Sequence, residues 1–291
     1  MARNLARNPA SNPRVIQSLA VLRKTIAGWR HDGDSIALVP TMGALHEGHM
    51  ALVRAARKKA KRVVVSIFVN PQQFAPNEDF ASYPRTLEQD LAILKQLGVD
   101  AVWTPDAALM YPAGFSTKVT PAGPALAGLE DKFRPHFFGG VATVVTKLFL
   151  QVMPDCALFG EKDYQQLKVV TRMAGDLDIP VRIIGVPTTR EPDGLALSSR
   201  NVYLSPQERK VAPLIHRTLR DCAARIRKGE KLADVLADGT RTLSDAGFVV
   251  DYLDARHAET LDMVVSTKDA PLRLLVAARL GKTRLIDNLA V

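Results

Sequence analysis

Cysteine is scarce in this chain, with two in 291 residues, Cys156 and Cys222. They stand far apart and have no ligand-like neighbours, which excludes a disulfide framework or a zinc ribbon. Both read as buried, inert thiols, and a reducing cytoplasm is their natural setting. Long apolar runs are lacking too. No stretch approaches the roughly 20 residues that a membrane-spanning helix needs, and the longest candidate, Val63 to Val69, is strand-sized. The first apolar cluster is short and interrupted by Arg23 and Lys24, so no secretory signal is expected. Low hydrophobicity is absent as well: 47% hydrophobic against 24% charged residues excludes a disordered chain and allows a substantial core.

What the chain does have is positive charge, a net +9 with a pI near 9.7. A nucleic-acid binder would show this, but the distribution argues otherwise. Arg3, Arg7, Arg14, Arg23, Lys24 and Arg30 occupy the first 30 residues without one acid, so six of the nine excess charges sit at one end. Arg54, Arg57, Lys58, Lys59, Lys61 and Arg62 form a second run at a helix end. Neither run has the aromatic interleaving of a single-strand binder. A solvated tail and helix face explain both, and no nucleic-acid or membrane partner is expected. The acid-free start also has the look of an organelle transit peptide; residues 1–14 are more simply a floppy extension.

Strand-like and helix-like patterns alternate through the first two-thirds. Ile36 to Pro40 reads as a strand. Gly48 to Ala60 reads as a helix with Leu52, Val53, Ala56 and Ala60 on one face. Val63 to Val69 is almost continuously apolar, as strands covered on both faces of a parallel sheet are. A helix over Arg85–Leu97, a strand over Ala101–Thr104, a helix over Val141–Met153 stopped by Pro154, a strand over Cys156–Phe159, a helix near Asp163–Leu177 and a strand over Val181–Val186 continue the series. The alternation predicts a doubly wound α/β domain. After about Thr188 the order changes to two helices, Ser205–Lys228 and Lys231–Ala246, followed by strands at Phe248–Ala255, Leu274–Ala278 and Thr283–Ile286. That order predicts a separate α+β domain at 189–291 behind an α/β domain at 1–188.

Four segments carry chemistry. The first, Val39-Pro40-Thr41-Met42-Gly43-Ala44-Leu45-His46-Glu47-Gly48-His49, follows a strand and opens a helix. Free N–H groups and the helix dipole at such a junction favour phosphate. Glycines allow the chain to turn and approach a ligand closely. Histidines three apart on a first helical turn can both reach one triphosphate. A zinc pair and a structural cap are the other readings of the same residues. The second, Ser66 to Phe74, ends a buried strand in amides: Asn70 and Gln73 can hold a small hydroxy acid without charge. The third, Phe159-Gly160-Glu161-Lys162-Asp163-Tyr164-Gln165-Gln166, offers a mobile cation to phosphate and a carboxylate to ribose, or is an ordinary helix start. The fourth, Asp193 to Asn201, sets Ser198, Ser199 and Arg200 side by side as a phosphate clamp, or as a polar loop between domains.

In this order and at these separations the four segments resemble those of pantothenate synthetases (pantoate–β-alanine ligases), over roughly residues 15–291 and most densely from Ile36 to Leu204. The resemblance implies a Rossmann-like nucleotidyltransferase domain with a parallel sheet and a smaller C-terminal α+β domain, usually in a homodimer. It implies that ATP with Mg2+ turns (R)-pantoate into pantoyl-adenylate with release of pyrophosphate, and that the amine of β-alanine then displaces AMP. Carried over residue by residue, it gives an ATP site of Met42, Gly43, Ala44, Leu45, His46, Glu47, Gly48 and His49. His49 becomes the proton donor and His46 stands beside it. Gly160, Glu161, Lys162 and Asp163 join the ATP site, Lys162 as a catalytic cation on the phosphates and Asp163 on the ribose. Thr189 would face adenine, and Leu197, Ser198, Ser199 and Arg200 would form the flexible phosphate signature. Gln73 and Gln166 would hold pantoate, with Gln73 also near β-alanine. No protein ligand for a metal is assigned. One departure stands out. Many members read Arg-Pro-x-His-Phe-x-Gly-Val, whereas this chain reads Arg134-Pro135-His136-Phe137-Phe138-Gly139-Gly140-Val141, so no role passes to His136.

Overall fold

The computed structural model describes residues 12–74, 80–266 and 271–291. In chain order the elements are β1 (Arg14–Ile16), α1 (Leu19–His31), β2 (Ile36–Thr41), α2 (Glu47–Arg57), β3 (Arg62–Ile67), α3 (Leu87–Gln96), β4 (Ala101–Trp103), α4 (Ala107–Met110), α5 (Glu130–Phe133), α6 (Phe137–Val152), β5 (Cys156–Gly160), α7 (Tyr164–Asp176), β6 (Arg182–Val186), α8 (Pro206–Val211), α9 (Leu214–Arg227), α10 (Leu232–Asp245), β7 (Phe248–His257), β8 (Leu272–Leu280) and β9 (Thr283–Ala290). They fall into two compact units.

The first unit comprises Met1–Thr120, His136–Phe159 and Val170–Val186, as far as these are described. Its six-stranded sheet runs β1-β4-β3-β2-β5-β6. β1 with β4, β4 with β3, β3 with β2 and β2 with β5 all pair in parallel. Ile36 to Val39 of β2 and Val63 to Val65 of β3 are wholly buried, the reason their sequence is continuously apolar rather than alternating. Helix α2 lays Leu52, Val53 and Ala56 into the core shared with Val63, Val65 and Val102. Strand order reverses between β2 and β5, which makes the carboxyl end of β2 the edge where an open sheet of this kind binds ligands. Helix α6 is buried on nearly every side. It lies so close to the chain beyond β3 that a Cβ on Gly140 would stand 2.2 Å from the Gln72 carbonyl oxygen.

The second unit comprises Pro121–Pro135, Gly160–Val169 and Pro187–Val291, as far as described. Its antiparallel sheet is ordered β7-β8-β9. Leu219, Cys222, Val235, Leu243, Leu274 and Val276 meet in its core. Both cysteines are buried and free. Burial is the largest influence on the Cys222 thiol and pushes its pKa to about 11, so it stays protonated and inert as expected.

The fold class agrees with the sequence reading, and three local features depart from it. The helix expected from Ser205 to Lys228 is two helices, because Pro213 has no N–H to give and its ring crowds the preceding turn; α8 ends at Val211 and α9 begins at Leu214. A capping box opens α8: Ser205 Oγ accepts the Glu208 N–H at 3.3 Å and Glu208 Oε2 accepts the Ser205 N–H at 2.8 Å. Arg14, assigned to the N-terminal extension, opens β1 and pairs with Ala101. Residues 1–11 of that extension lie outside the described residues. Helix α1, which the sequence reading passed over, follows Ser18, whose side chain makes no cap hydrogen bond.

Candidate active site

In the first unit β2 ends at Thr41 and the chain turns through Gly43 and Ala44, with φ +84° and +50°. Two successive left-handed residues direct adjacent N–H groups to one side. Asp90, 1% exposed on α3, accepts both: Ala44 N–H to Oδ2 at 3.0 Å and Leu45 N–H to Oδ1 at 2.9 Å. Thr86 Oγ1 stands 3.3 Å from Oδ1. Gly43 also has steric grounds, since a Cβ there would meet Asp90 Oδ2 at 3.1 Å. Asp90 was not among the residues singled out from sequence. Nothing in the short-range pattern links it to a loop 45 positions upstream.

Helix α2 starts at Glu47 with His46 as its N-cap. The reading of the histidines as a structural cap is met here. Gly48 N–H donates to His46 Nδ1 at 3.1 Å, and His46 N–H donates to His49 Nδ1 at 3.2 Å. A backbone N–H can only donate, so each Nδ1 is an acceptor and the proton of each neutral ring resides on Nε2. The two rings lie 4.2 Å apart between centroids. One capping arrangement therefore fixes the tautomer of both imidazoles. Among the described residues no group of three or more His, Cys, Asp or Glu could hold a metal ion, so the zinc reading finds no third ligand there.

Past β3, Asn70 is 1% exposed and its amide is fully committed. Nδ2 donates to Gln73 Oε1 and to the Gly140 carbonyl, both at 3.2 Å. Oδ1 accepts the Gln72 N–H at 3.2 Å and the Tyr111 hydroxyl at 2.7 Å. Burial raises the Tyr111 pKa, which keeps the phenol a donor. Asn70 thus supports Gln73 rather than offering itself to a ligand, a correction to the reading of that segment. Gln73 Nε2 in turn lies 3.0 Å from Met42 Sδ, which joins the first two motifs. Beside them a pocket of about 370 Å³ is lined by Met42, Gly43, Phe68, Arg85 and Asp90 among others.

The second unit gathers the other two motifs. Gly160 leads into a 3-10 turn, Glu161–Asp163, and then α7. Lys162 Nζ is 3.8 Å from Asp163 Oδ2, a loose pairing of neighbours. In the adjacent glutamines labour is divided. Gln165 is buried and committed to structure, accepting the Glu130 N–H at 2.9 Å and donating to the Pro124 carbonyl at 2.8 Å and to Asp131 at 3.0 Å. Gln166 is half-buried. Thr189 and Leu197 close a hairpin through a 3.0 Å bond from Leu197 N–H to the Thr189 carbonyl, with Arg190 bridged to Ala196 between them. Ser198 caps the 3-10 turn Ser199–Tyr203 by accepting the Arg200 N–H at 3.2 Å. Two residues missed from sequence, Asp287 and Asn288 of β9, hold both segments. Asp287 accepts Arg190 through two bonds of 2.6 and 2.9 Å. Asn288 Nδ2 donates to the Glu161 and Lys162 carbonyls at 2.8 and 2.9 Å.

With this geometry in hand, comparison with known proteins is specific. The family model for pantoate-beta-alanine ligase matches residues 14–290. A pantothenate synthetase of Nitrobacter winogradskyi is 62% identical over 279 residues, 96% of this chain and 99% of that one. Pantothenate synthetase 2 of Bradyrhizobium diazoefficiens is 61% identical over 96% of this chain and 99% of its own length. Among solved structures, the pantothenate synthetase of Thermus thermophilus superposes with a TM-score of 0.89 at 49% identity, covering 95% of this chain and 98% of that one. The pantoate-beta-alanine ligase of Francisella tularensis, solved with beta-gamma ATP and beta-alanine, gives a TM-score of 0.80 at 34% identity, covering 96% and 97%. The chain belongs to the pantoate-beta-alanine ligase family.

Proposed function

We propose that this chain condenses (R)-pantoate with β-alanine, using ATP to form a pantoyl-adenylate, and releases pantothenate, AMP and pyrophosphate. The observation that carries the reading is the reciprocal capping of His46 and His49 at the start of α2, just past the carboxyl end of β2. Two Nε2–H donors with fixed tautomers at a helix N-terminus are suited to hydrogen-bond phosphate oxygens. A second strand of support is the ligase of Francisella tularensis, solved with a nucleotide and beta-alanine.

A free carboxylate resists attack because its charge repels nucleophiles, and joining it to AMP supplies a leaving group. In the first step the pantoate carboxylate attacks the α-phosphorus in line. His49 and His46 donate to oxygens where charge gathers, and Lys162, Ser198, Ser199 and Arg200 neutralise the departing pyrophosphate. Met42 to His49, Gly160 to Asp163, Thr189 and Leu197 to Arg200 are the proposed ATP-binding set. Gln73 and Gln166 are proposed to orient pantoate, and Gln73 also β-alanine. ATP enters as its magnesium complex. Such ions take most ligands from phosphate and water rather than from a protein cage. When bound, the ion withdraws charge from the phosphates. In the second step the neutral amine of β-alanine attacks the acyl carbon and expels AMP, which requires water to be kept out. The buried free thiols and bacterial relatives support a cytoplasmic setting, and resemblance to the family supports a homodimer.

An AMP-release assay tests the proposal, with pantoate and β-alanine each omitted in turn. Pantoate-dependent exchange of pyrophosphate into ATP, and AMP release only when β-alanine is added, are expected. AMP release that ignores β-alanine, or a stable nucleotide adduct as the end product, would replace the ligase with an ordinary nucleotidyltransferase.

A further inference from the structure

The two segments of the second unit proposed above to bind phosphate are fastened to adjacent residues of one strand. Asp287 and Asn288 are 2% and 3% exposed, and successive side chains of a strand point to opposite faces. On one side Asp287 takes Arg190 in a two-bond grip. Arg190 Nη1 also donates to the Gly194 carbonyl at 3.1 Å, so the guanidinium ties the strand to the tip of the hairpin whose far arm leads into Ser198 and Arg200. The buried carboxylate meets a raising influence from burial. Its neighbours His216, 3.6 Å away, and Arg190 outweigh it and hold the pKa below the ordinary value. On the other side Asn288 donates to the carbonyls of Glu161 and Lys162. Its Oδ1 accepts Arg273 Nε at 2.8 Å, and Arg273 Nη2 reaches Glu161 Oε2 at 3.1 Å. Arg273 also lies over the Tyr164 ring at 4.0 Å, which leaves the amide one orientation.

We infer that Asp287 and Asn288 are positioning residues for the adenylation step: together they set Lys162 and the Ser198–Arg200 clamp at a fixed separation for one triphosphate. This inference rests on the proposed nucleotide-binding role of those two segments. A phosphate chain has fixed spacing, so a cation and a clamp on independent loops gain from a common rigid reference. A dipeptide inside a sheet supplies one that no local loop contact can.

Asn288→Asp is the direct test. The substitution keeps size and removes both N–H donors, leaving a carboxylate against two carbonyls and loosening the turn that carries Lys162. In pantoate-dependent pyrophosphate exchange the KM for ATP should rise by at least about tenfold, while the KM for β-alanine in the full reaction stays within about twofold. Asn288→Ala, free of the added repulsion, should show the same split more weakly and serves if the first variant fails to fold. A merely structural role would lower the melting temperature and the active fraction but leave every KM of the folded enzyme in place; that result from either variant overturns the inference. If the unaltered chain shows no pantoate-dependent exchange, it is the ligase reading that fails. If the unaltered chain is active and both variants match it, only the positioning role is lost.

Discussion

Replacing Asp90 by alanine should be among the costliest single changes in the first unit. The carboxylate is buried and accepts two backbone N–H groups at 2.9 and 3.0 Å. Each buried N–H left without a partner costs about 1–3 kcal/mol, so removing both oxygens costs roughly 2–6 kcal/mol before relaxation. Ala44 sits at φ +50°, a conformation about 1–2 kcal/mol uphill for a residue with a side chain. Once released, the loop recovers part of that strain by relaxing. A net loss of about 3 kcal/mol follows, or a drop of roughly 6–12 °C at about 2–4 °C per kcal/mol for a unit of this size. Asp90→Asn keeps one acceptor but turns an NH2 toward a backbone N–H, so it should recover less than half of the loss. Calorimetric scans of the three proteins measure the stability, and the KM for ATP reports on the loop itself. A melting temperature for Asp90→Ala within about 2 °C of the parent would show that water replaces the carboxylate freely and would refute the anchoring argument.

Four other outcomes are expected. His49→Ala should cut turnover by about a hundredfold or more while costing only about 0.5–1 kcal/mol from the lost cap bond; wild-type turnover from the folded variant would remove His49 from the chemistry. Gly140→Ala should destabilise the first unit by more than about 2 kcal/mol, because its Cβ would fall 2.2 Å from the backbone oxygen of Gln72. The strain should also displace Gln73, visible as a raised KM for pantoate. Glu130→Gln should cost about 3 kcal/mol in a urea or thermal melt, since Glu130 accepts both Arg284 Nη atoms at 2.7 and 2.8 Å and the Tyr252 hydroxyl at 2.8 Å. Asp287 has a folded pKa below the ordinary 3.8. Its stabilisation is therefore complete above 3.8 and disappears as pH falls through the lower folded value. The stability gap between the parent and Asp287→Asn should be constant at neutral pH and shrink in acid; a gap that widens there would reverse the sign of the linkage.

Much of the frame was legible because burial writes itself into composition. Val63 to Val65 is apolar at every position since both faces of the strand are covered, and such a run reads as a parallel strand without further help. The junctions that carry the proposed nucleotide motifs were legible for another reason: a strand, a glycine turn and a helix start are all local. What escaped was set by distance in sequence or by missing punctuation. β1 is three residues long, too short for any periodicity, and exists only because β4 offers it an edge. Pro213 was visible in the span read as one helix, and it divides α8 from α9. Asn70 and Gln73 look alike as ligand amides, but Gly140 and Tyr111, far along the chain, saturate the first.

The supporting residues that were missed share a logic that concerns backbone polarity. The loop at Ala44 and Leu45 presents two N–H groups inward, and a group that accepts with two oxygens at once satisfies both; a carboxylate does so, whereas an amide has one oxygen and a competing donor. The turn at Glu161 and Lys162 presents two carbonyls, and here the requirement is inverted. An amide nitrogen donates to both, and a carboxylate would face them with like polarity. Asp90 and Asn288 are nearly isosteric, and each is wrong at the other's position. Their identity is dictated by the polarity that each backbone turn presents to them. Where a loop proposed to hold a polyanion directs N–H groups backwards as well as forwards, the fold must place a buried acid behind it. The Asp90 carboxylate behind the turn at Ala44 and Leu45 thus stands as a structural consequence of the loop itself.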